Sequence, residues 1–171
     1  MRKLFLGLIV IVMMVCLINP GLSTAADKVK AIGEVTYGID DSAQAQDVRR
    51  QNLRQAPGDL NYTREVYTAD PPSGEAYPSR AASLFWVGDT VYLVDRYYMG
   101  NTGSYTKYWF ITDMTGTVVY LGATDLYTST TGFKYLTKAV TFYVSGSFLF
   151  HTLTLGPGEY ISSYQFPFLV Q

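Results

Sequence analysis

Thr90-Val91-Tyr92-Leu93-Val94-Asp95-Arg96-Tyr97, then Gly100-Asn101-Thr102-Gly103, then Tyr105-Thr106-Lys107-Tyr108-Trp109-Phe110-Ile111-Thr112 is the stretch that decides the fold class. In the first run Val91, Leu93 and Asp95 share one face and Tyr92, Val94 and Arg96 the other, the two-residue period of a strand. The Gly-Asn-Thr-Gly tetrad is a strong loop signal. The last run sets Tyr108 and Phe110 against Trp109 and Ile111, again at a spacing of two. β-branched and aromatic residues suit a pleated, half-buried surface. Two strands with a connection between them are therefore expected.

The pattern continues in both directions. Upstream, residues 84–87 form a short apolar run that stops at Gly88-Asp89. Downstream, Asp113-Met114-Thr115-Gly116 has the Asp-first, Gly-last form of a type I turn, with residues 117–121 as its hairpin partner. A polar stretch around 124–132 precedes three further strand-like segments, 133–144, 148–155 and 159–168, divided by Ser145-Gly146 and Gly156-Pro157-Gly158. The last of these puts Tyr160, Ser162, Tyr164, Phe166 and Phe168 on one face. Pro167 donates no backbone hydrogen bond, so its end of the strand is an edge or lies past the pairing. Roughly seven short strands, without the 10–15-residue helical patterns that parallel strands require, predict an all-β antiparallel sandwich or a small barrel.

Residues 26–80 differ in character: they are polar, rich in Gln, Asp, Arg and Pro, and 21 of the 26 Phe, Tyr and Trp residues fall between Phe85 and Phe168. The apolar surface for a core therefore lies in residues 81–171, and 26–80 is expected to be a polar extension or linker. Within it, residues 31–38 alternate like a strand. Ser42 is placed to cap a short helix over 43–55, with Arg49, Arg50 and Arg54 toward its C-terminal end and Pro57-Gly58 stopping it. Asp70-Pro71-Pro72-Ser73-Gly74 is loop.

Residues 1–25 have the three parts of a secretory signal: Arg2 and Lys3, an apolar run from Leu4 to Ile18, and small residues at Ser23, Thr24 and Ala25 after Asn19-Pro20-Gly21. Cleavage is expected before Ala26. The apolar run is about 15 residues, short of the roughly 20 that span a bilayer, and membrane contact is expected only if it is retained. Cys16 lies inside the run after Met13, Met14 and Val15, unlike a lipidated cysteine, and would leave with the signal. Removing Arg2 and Lys3 takes the basic count from 13 to 11 against 14 acidic residues, a net charge near −3. Nothing in that balance favours nucleic acid. The expected location is the periplasm or the extracellular space.

Chemistry-bearing residues are sparse. The single histidine, His151, alternates with Leu149 and Leu153 in a strand and has no nucleophile elbow with it. Zinc needs three or four ligands, and no metal or other cofactor is expected. Asp89, Asp95, Asp113, Asp125 and Glu159 are the carboxylates available for glycosidase-type work, but Asp89, Asp113 and Glu159 fall in or beside turns, where Asp commonly bonds the local backbone. Asp40-Asp41 suits helix capping better than calcium. No catalytic residue is assigned. The unusual supply is aromatic: Tyr97, Tyr98, Tyr105, Tyr108 and Trp109 flank the 100–103 loop and are the candidate ligand- or partner-binding residues.

Trp86-Val87-Gly88-Asp89-Thr90-Val91-Tyr92-Leu93, Phe110-Ile111-Thr112-Asp113-Met114-Thr115-Gly116-Thr117-Val118-Val119 and Leu155-Gly156-Pro157-Gly158-Glu159-Tyr160 resemble, in that order, the strands of bacterial extracytoplasmic immunoglobulin-like domains. The likeness covers residues 84–168 and lacks the Cys…Trp…Cys core of antibody domains. It implies a Greek-key sandwich and leaves function open. The expectation is a non-enzymatic binding or assembly module whose partner is another envelope or extracellular protein or a second copy of itself. The alternatives are a carbohydrate-binding domain using the aromatics and, further off, a carboxylate-dependent hydrolase. The strand at 31–38 is expected to add to a sheet edge, its own or a neighbour's.

Overall fold

The alternation at 90–112 produces two strands whose odd-numbered side chains face each other across the interior. A computed structural model describes residues 28–40, 65–71, 81–156 and 160–171; the signal at 1–25, the helix expected over 43–55 and Glu159 lie outside the described residues. The described elements are β1 (Val29–Ile39), β2 (Glu65–Ala69), β3 (Leu84–Phe85), β4 (Thr90–Met99), β5 (Gly103–Asp113), β6 (Val118–Thr128), β7 (Gly132–Phe142), β8 (Gly146–Gly156) and β9 (Tyr160–Val170).

They form two sheets, in the orders β1-β7-β4-β2 and β3-β9-β8-β5-β6. Every neighbouring pair is antiparallel except β3 with β9. The described residues form an all-β sandwich. The chain changes sheet at β2–β3, β3–β4, β4–β5, β6–β7 and β7–β8, so most of its connections bridge the two layers.

The core follows from the alternation. Val91, Leu93 and Tyr97 of β4 and Trp109 and Ile111 of β5 face inward, with Leu136, Val140 and Phe142 of β7 and Phe148 and Phe150 of β8. Phe142 is fully buried, its ring centroid 4.9 Å from Phe148 and 5.4 Å from Phe168. The Trp109 indole packs against Gly122 of β6, where an added Cβ would sit 2.4 Å from the indole Nε1. Gly122 therefore keeps the strand thin under the ring.

One part of the interior is polar. Lys107 of β5 and Asp95 of β4 form an ion pair between the sheets, each side chain 1% exposed. The Lys107 ammonium also donates to Thr154 Oγ1 at 2.7 Å and lies 3.6 Å from the Tyr97 ring centroid. The Tyr97 hydroxyl in turn bonds that of Tyr105 at 2.9 Å.

Three features depart from the sequence expectations. First, the stretch read as an extension supplies both outer strands of the first sheet: β1, where 31–38 was expected to add to a sheet edge, and β2, which was not expected, with Val29 and Val66 entering the core. Second, β6 runs past the expected 117–121 strand and through the polar stretch to Thr128, because pairing with β5 continues to Gly103↔Thr128. Third, Pro167 is inside β9, opposite Leu149 of β8. Leu169 and Gln171 donate to Ser83 and Phe85, so the odd-numbered backbone nitrogens of β9 point toward β3. At Pro167 that side precedes the first β3 partner, and no ladder bond is lost.

β1 is held at its bulge and at its C-terminal end. Its register slips between Ile32 and Thr36 at a bulge where Gly33 takes φ 60°, a conformation favourable only for glycine. Lys138 reaches across from β7 to the carbonyls of Ile32 and Gly33. At its C-terminal end Arg96 Nε donates to Asp40 Oδ2 at 2.7 Å, a buried pair spanning β7.

Candidate functional site: the outward face of the second sheet

Sending odd-numbered β5 residues inward leaves Thr106, Tyr108, Phe110 and Thr112 on the outside, and the register carries the face across the sheet. Leu121, Phe110, His151 and Gln165 form one row over β6, β5, β8 and β9. Ala123, Tyr108 and Leu153 form the next, and Asp125, Thr106 and Leu155 the one beyond. Leu149 lies opposite Thr112, and Tyr127 opposite Ser104. Leu121 is 48% exposed, Leu155 36% and Tyr127 70%. Tyr108, Phe110, Leu149 and His151 are half-buried.

His151 stacks on Phe110, centroids 4.6 Å apart and planes within 4°, and its Nε2 is 2.9 Å from Thr112 Oγ1. Burial pushes its pKa below the ordinary histidine value. A histidine harder to protonate when folded contributes stability that is complete above its unfolded pKa, near 6.5, and is lost as pH falls through that value toward the folded one. The loss of thermal stability between about pH 7.5 and 5.5 is expected to be smaller in His151→Gln than in the unsubstituted protein; equal losses in parallel melting curves would refute it.

The five aromatics singled out in the sequence do not form one strip. Tyr97, Tyr105 and Trp109 are core residues, because their parity on β4 and β5 turns them between the sheets. Tyr98 is half-buried on the outside of the first sheet, edge-on to Phe133 at 5.1 Å. Only Tyr108 belongs to the outward face of the second. A sugar ring cannot reach the buried three, so the aromatic surface first expected around the 100–103 loop is corrected to the rows above.

The acidic residues have local roles. Asp89 Oδ2 accepts from the Trp86 N–H at 2.8 Å, and Asp125 accepts from the Thr106 hydroxyl at 2.6 Å. Asp113 Oδ1 accepts from the Thr115 hydroxyl at 2.6 Å and from the backbone N–H groups of Thr115 and Thr117, and these bonds, the hydroxyl first, hold its carboxyl below the usual range. Asp95 pairs with Lys107, and Asp40 with Arg96. Among the described residues no three His, Cys, Asp or Glu side chains gather as a metal site.

The outward face was missed in sequence, although β8 carries its signal: Leu149, Phe150 and Leu153 put large apolar groups on both faces of one strand. A strand with only one covered face alternates apolar with polar. Apolar residues on both sides mark a second surface with low affinity for water.

No protein-family model matches this chain, and no curated protein matches its sequence. Among solved structures it is similar to the CARDB domain of a Pyrococcus furiosus protein, solved in complex with di-metal ions, at 15% identity over 64% of this chain and 89% of that one, with a TM-score of 0.41. A family 123 glycoside hydrolase from Clostridium perfringens is similar at 7% identity and a TM-score of 0.41, over 81% of this chain and 27% of the enzyme. A conjugative transposon lipoprotein from Bacteroides eggerthii is similar at 14% identity and a TM-score of 0.33, over 63% and 95% of the two chains. None of these likenesses carries a functional argument.

Proposed function

We propose that the chain is an exported, non-enzymatic binding or assembly module of the cell envelope or extracellular space, acting through protein–protein contacts. The observation that carries this is the outward face of the second sheet, where Leu121, Phe110, Tyr108, Leu149 and Leu155 leave an apolar surface partly open to solvent. Contiguous exposed apolar surface on a folded domain marks an interaction site more often than an accident of composition.

The sandwich is of immunoglobulin-like, Greek-key type. In this reading β2 and β3 are the two halves of a first strand that changes sheet, pairing antiparallel with β4 and parallel with β9. The short 129–131 connection takes β6 straight to β7 without an intervening strand. β1, arriving from 25 residues upstream of β2, fills the outer place beside β7. The signal-like residues 1–25 supply the route to the envelope.

The test is chemical crosslinking of the native envelope, followed by recovery of the chain and its intact mass. Protein adducts mapped to β5, β6 and β8 are the expected result, on a chain beginning at Ala26. A chain recovered at native abundance without adducts on that face removes the contact reading. A mass that includes residues 1–25 replaces the cleaved signal with an anchor.

A further inference from the structure

We infer that the partner of this face is a second copy of the same chain, the two second sheets stacking face to face about a two-fold axis. The inference rests on the protein-contact reading above and names its partner.

Charge is the first argument. Among the described residues of the face, the titratable groups are His151, Asp125, Tyr108 and Tyr127, and Asp125 is already bonded to Thr106. No lysine or arginine of β5, β6 or β8 points outward, since Lys107 is turned into the core. A basic or acidic partner would find little to pair with. An apolar, nearly uncharged surface matches it best, and a second copy presents one. A two-fold contact sets each residue against the same patch on its mate, and here it brings no clustered like charges together.

Area is the second argument. From Ser104 to Thr112 the outward side of β5 runs roughly 27 Å, and four strands at about 4.8 Å spacing give a width of roughly 15–19 Å. Each copy therefore offers on the order of 500 Å², and two offer on the order of 1,000 Å², about the lower limit for a specific interface. Such a contact gives a weak, reversible dimer, with a dissociation constant on the order of ten micromolar. The Phe110–His151 stack lies near its centre, where a flat ring pair packs without leaving a gap.

The test is sedimentation equilibrium of the exported protein, with Leu121→Glu and Leu155→Glu compared with Tyr37→Glu. Leu121, Leu155 and Tyr37 are all exposed, so each variant keeps its fold, which melting curves verify. Tyr37 lies on β1 of the other sheet and serves as the control. The unsubstituted protein and Tyr37→Glu are expected to dimerise, while either leucine substitution weakens the dimer by at least about a hundredfold, because it buries an unpaired carboxylate.

An unsubstituted chain that stays monomeric at about 300 μM, well above the expected constant, overturns the inference. So does a dimer that survives Leu121→Glu and Leu155→Glu, or one that only Tyr37→Glu disperses. If the chain is monomeric yet its envelope adducts still map to β5, β6 and β8, the contact reading stands and only the self-partner falls. If adducts are absent as well, both fall.

Discussion

Asp95→Ala lowers the stability of the sandwich by about 3–5 kcal/mol, the expected cost of leaving one partner of a buried ion pair uncompensated. Lys107 cannot move its ammonium to water, since its side chain and that of Asp95 are each 1% exposed. After the substitution the ammonium loses its carboxylate partner, while the Thr154 hydroxyl and the Tyr97 ring face stay beside it. Neither neutralises it. The double variant Asp95→Leu/Lys107→Met removes both charges and fills much of the same volume, so most of the loss is expected to return. Urea unfolding of the three proteins checks this. A double variant no more stable than Asp95→Ala would mean that the cost comes from packing rather than from the unpaired charge.

Phe142→Ala is expected to cost a similar about 3–5 kcal/mol, by a different route. Phe142 ends β7 with none of its surface exposed and packs on Phe148 and Phe168. Its backbone is held as well, since its carbonyl accepts from the Gly88 N–H at 2.9 Å and its strand is paired on both sides. The surroundings have little freedom to collapse into the cavity, which favours the upper part of the range. In a domain of this size the melting temperature should fall by on the order of 10–20 °C. Phe142→Leu keeps most of the volume and should recover more than half of the loss. A Phe142→Ala protein that melts within about 3 °C of the parent, under about 1 kcal/mol, would show that β7 repacks.

The two predictions sit at different distances from the sequence. That Phe142 lies in a strand and on the face opposite Tyr143 follows from a dense aromatic segment and a period of two. The Asp95–Lys107 pair does not: lysine and aspartate are seldom fully buried, and the two residues lie on strands of opposite sheets. Parity put Asp95 with Val91 and Leu93, and Lys107 with Trp109. That both faces turn inward is a property of how the sheets stack. The candidate site shows the same division. Tyr108 and Trp109 had to lie on opposite faces, but the sequence did not say which of the two would be covered, and three of five proposed binding aromatics proved to be core.

Local sequence by itself determined that residues 84–170 form short strands, where most of their turns fall and which side chains share a face. Those follow from interactions between near neighbours: β-branched and aromatic preference, glycine at reversals, and the pleat. Tertiary structure alone decided which edge β1 takes and that β2 completes the first sheet, that β6 extends to Thr128, and that Lys107 is buried while Leu121 and Leu155 are not. Strand edges and sheet faces look alike in sequence until each meets its partner. Burial is a relation between segments far apart in the chain, and the pattern of one segment does not contain it.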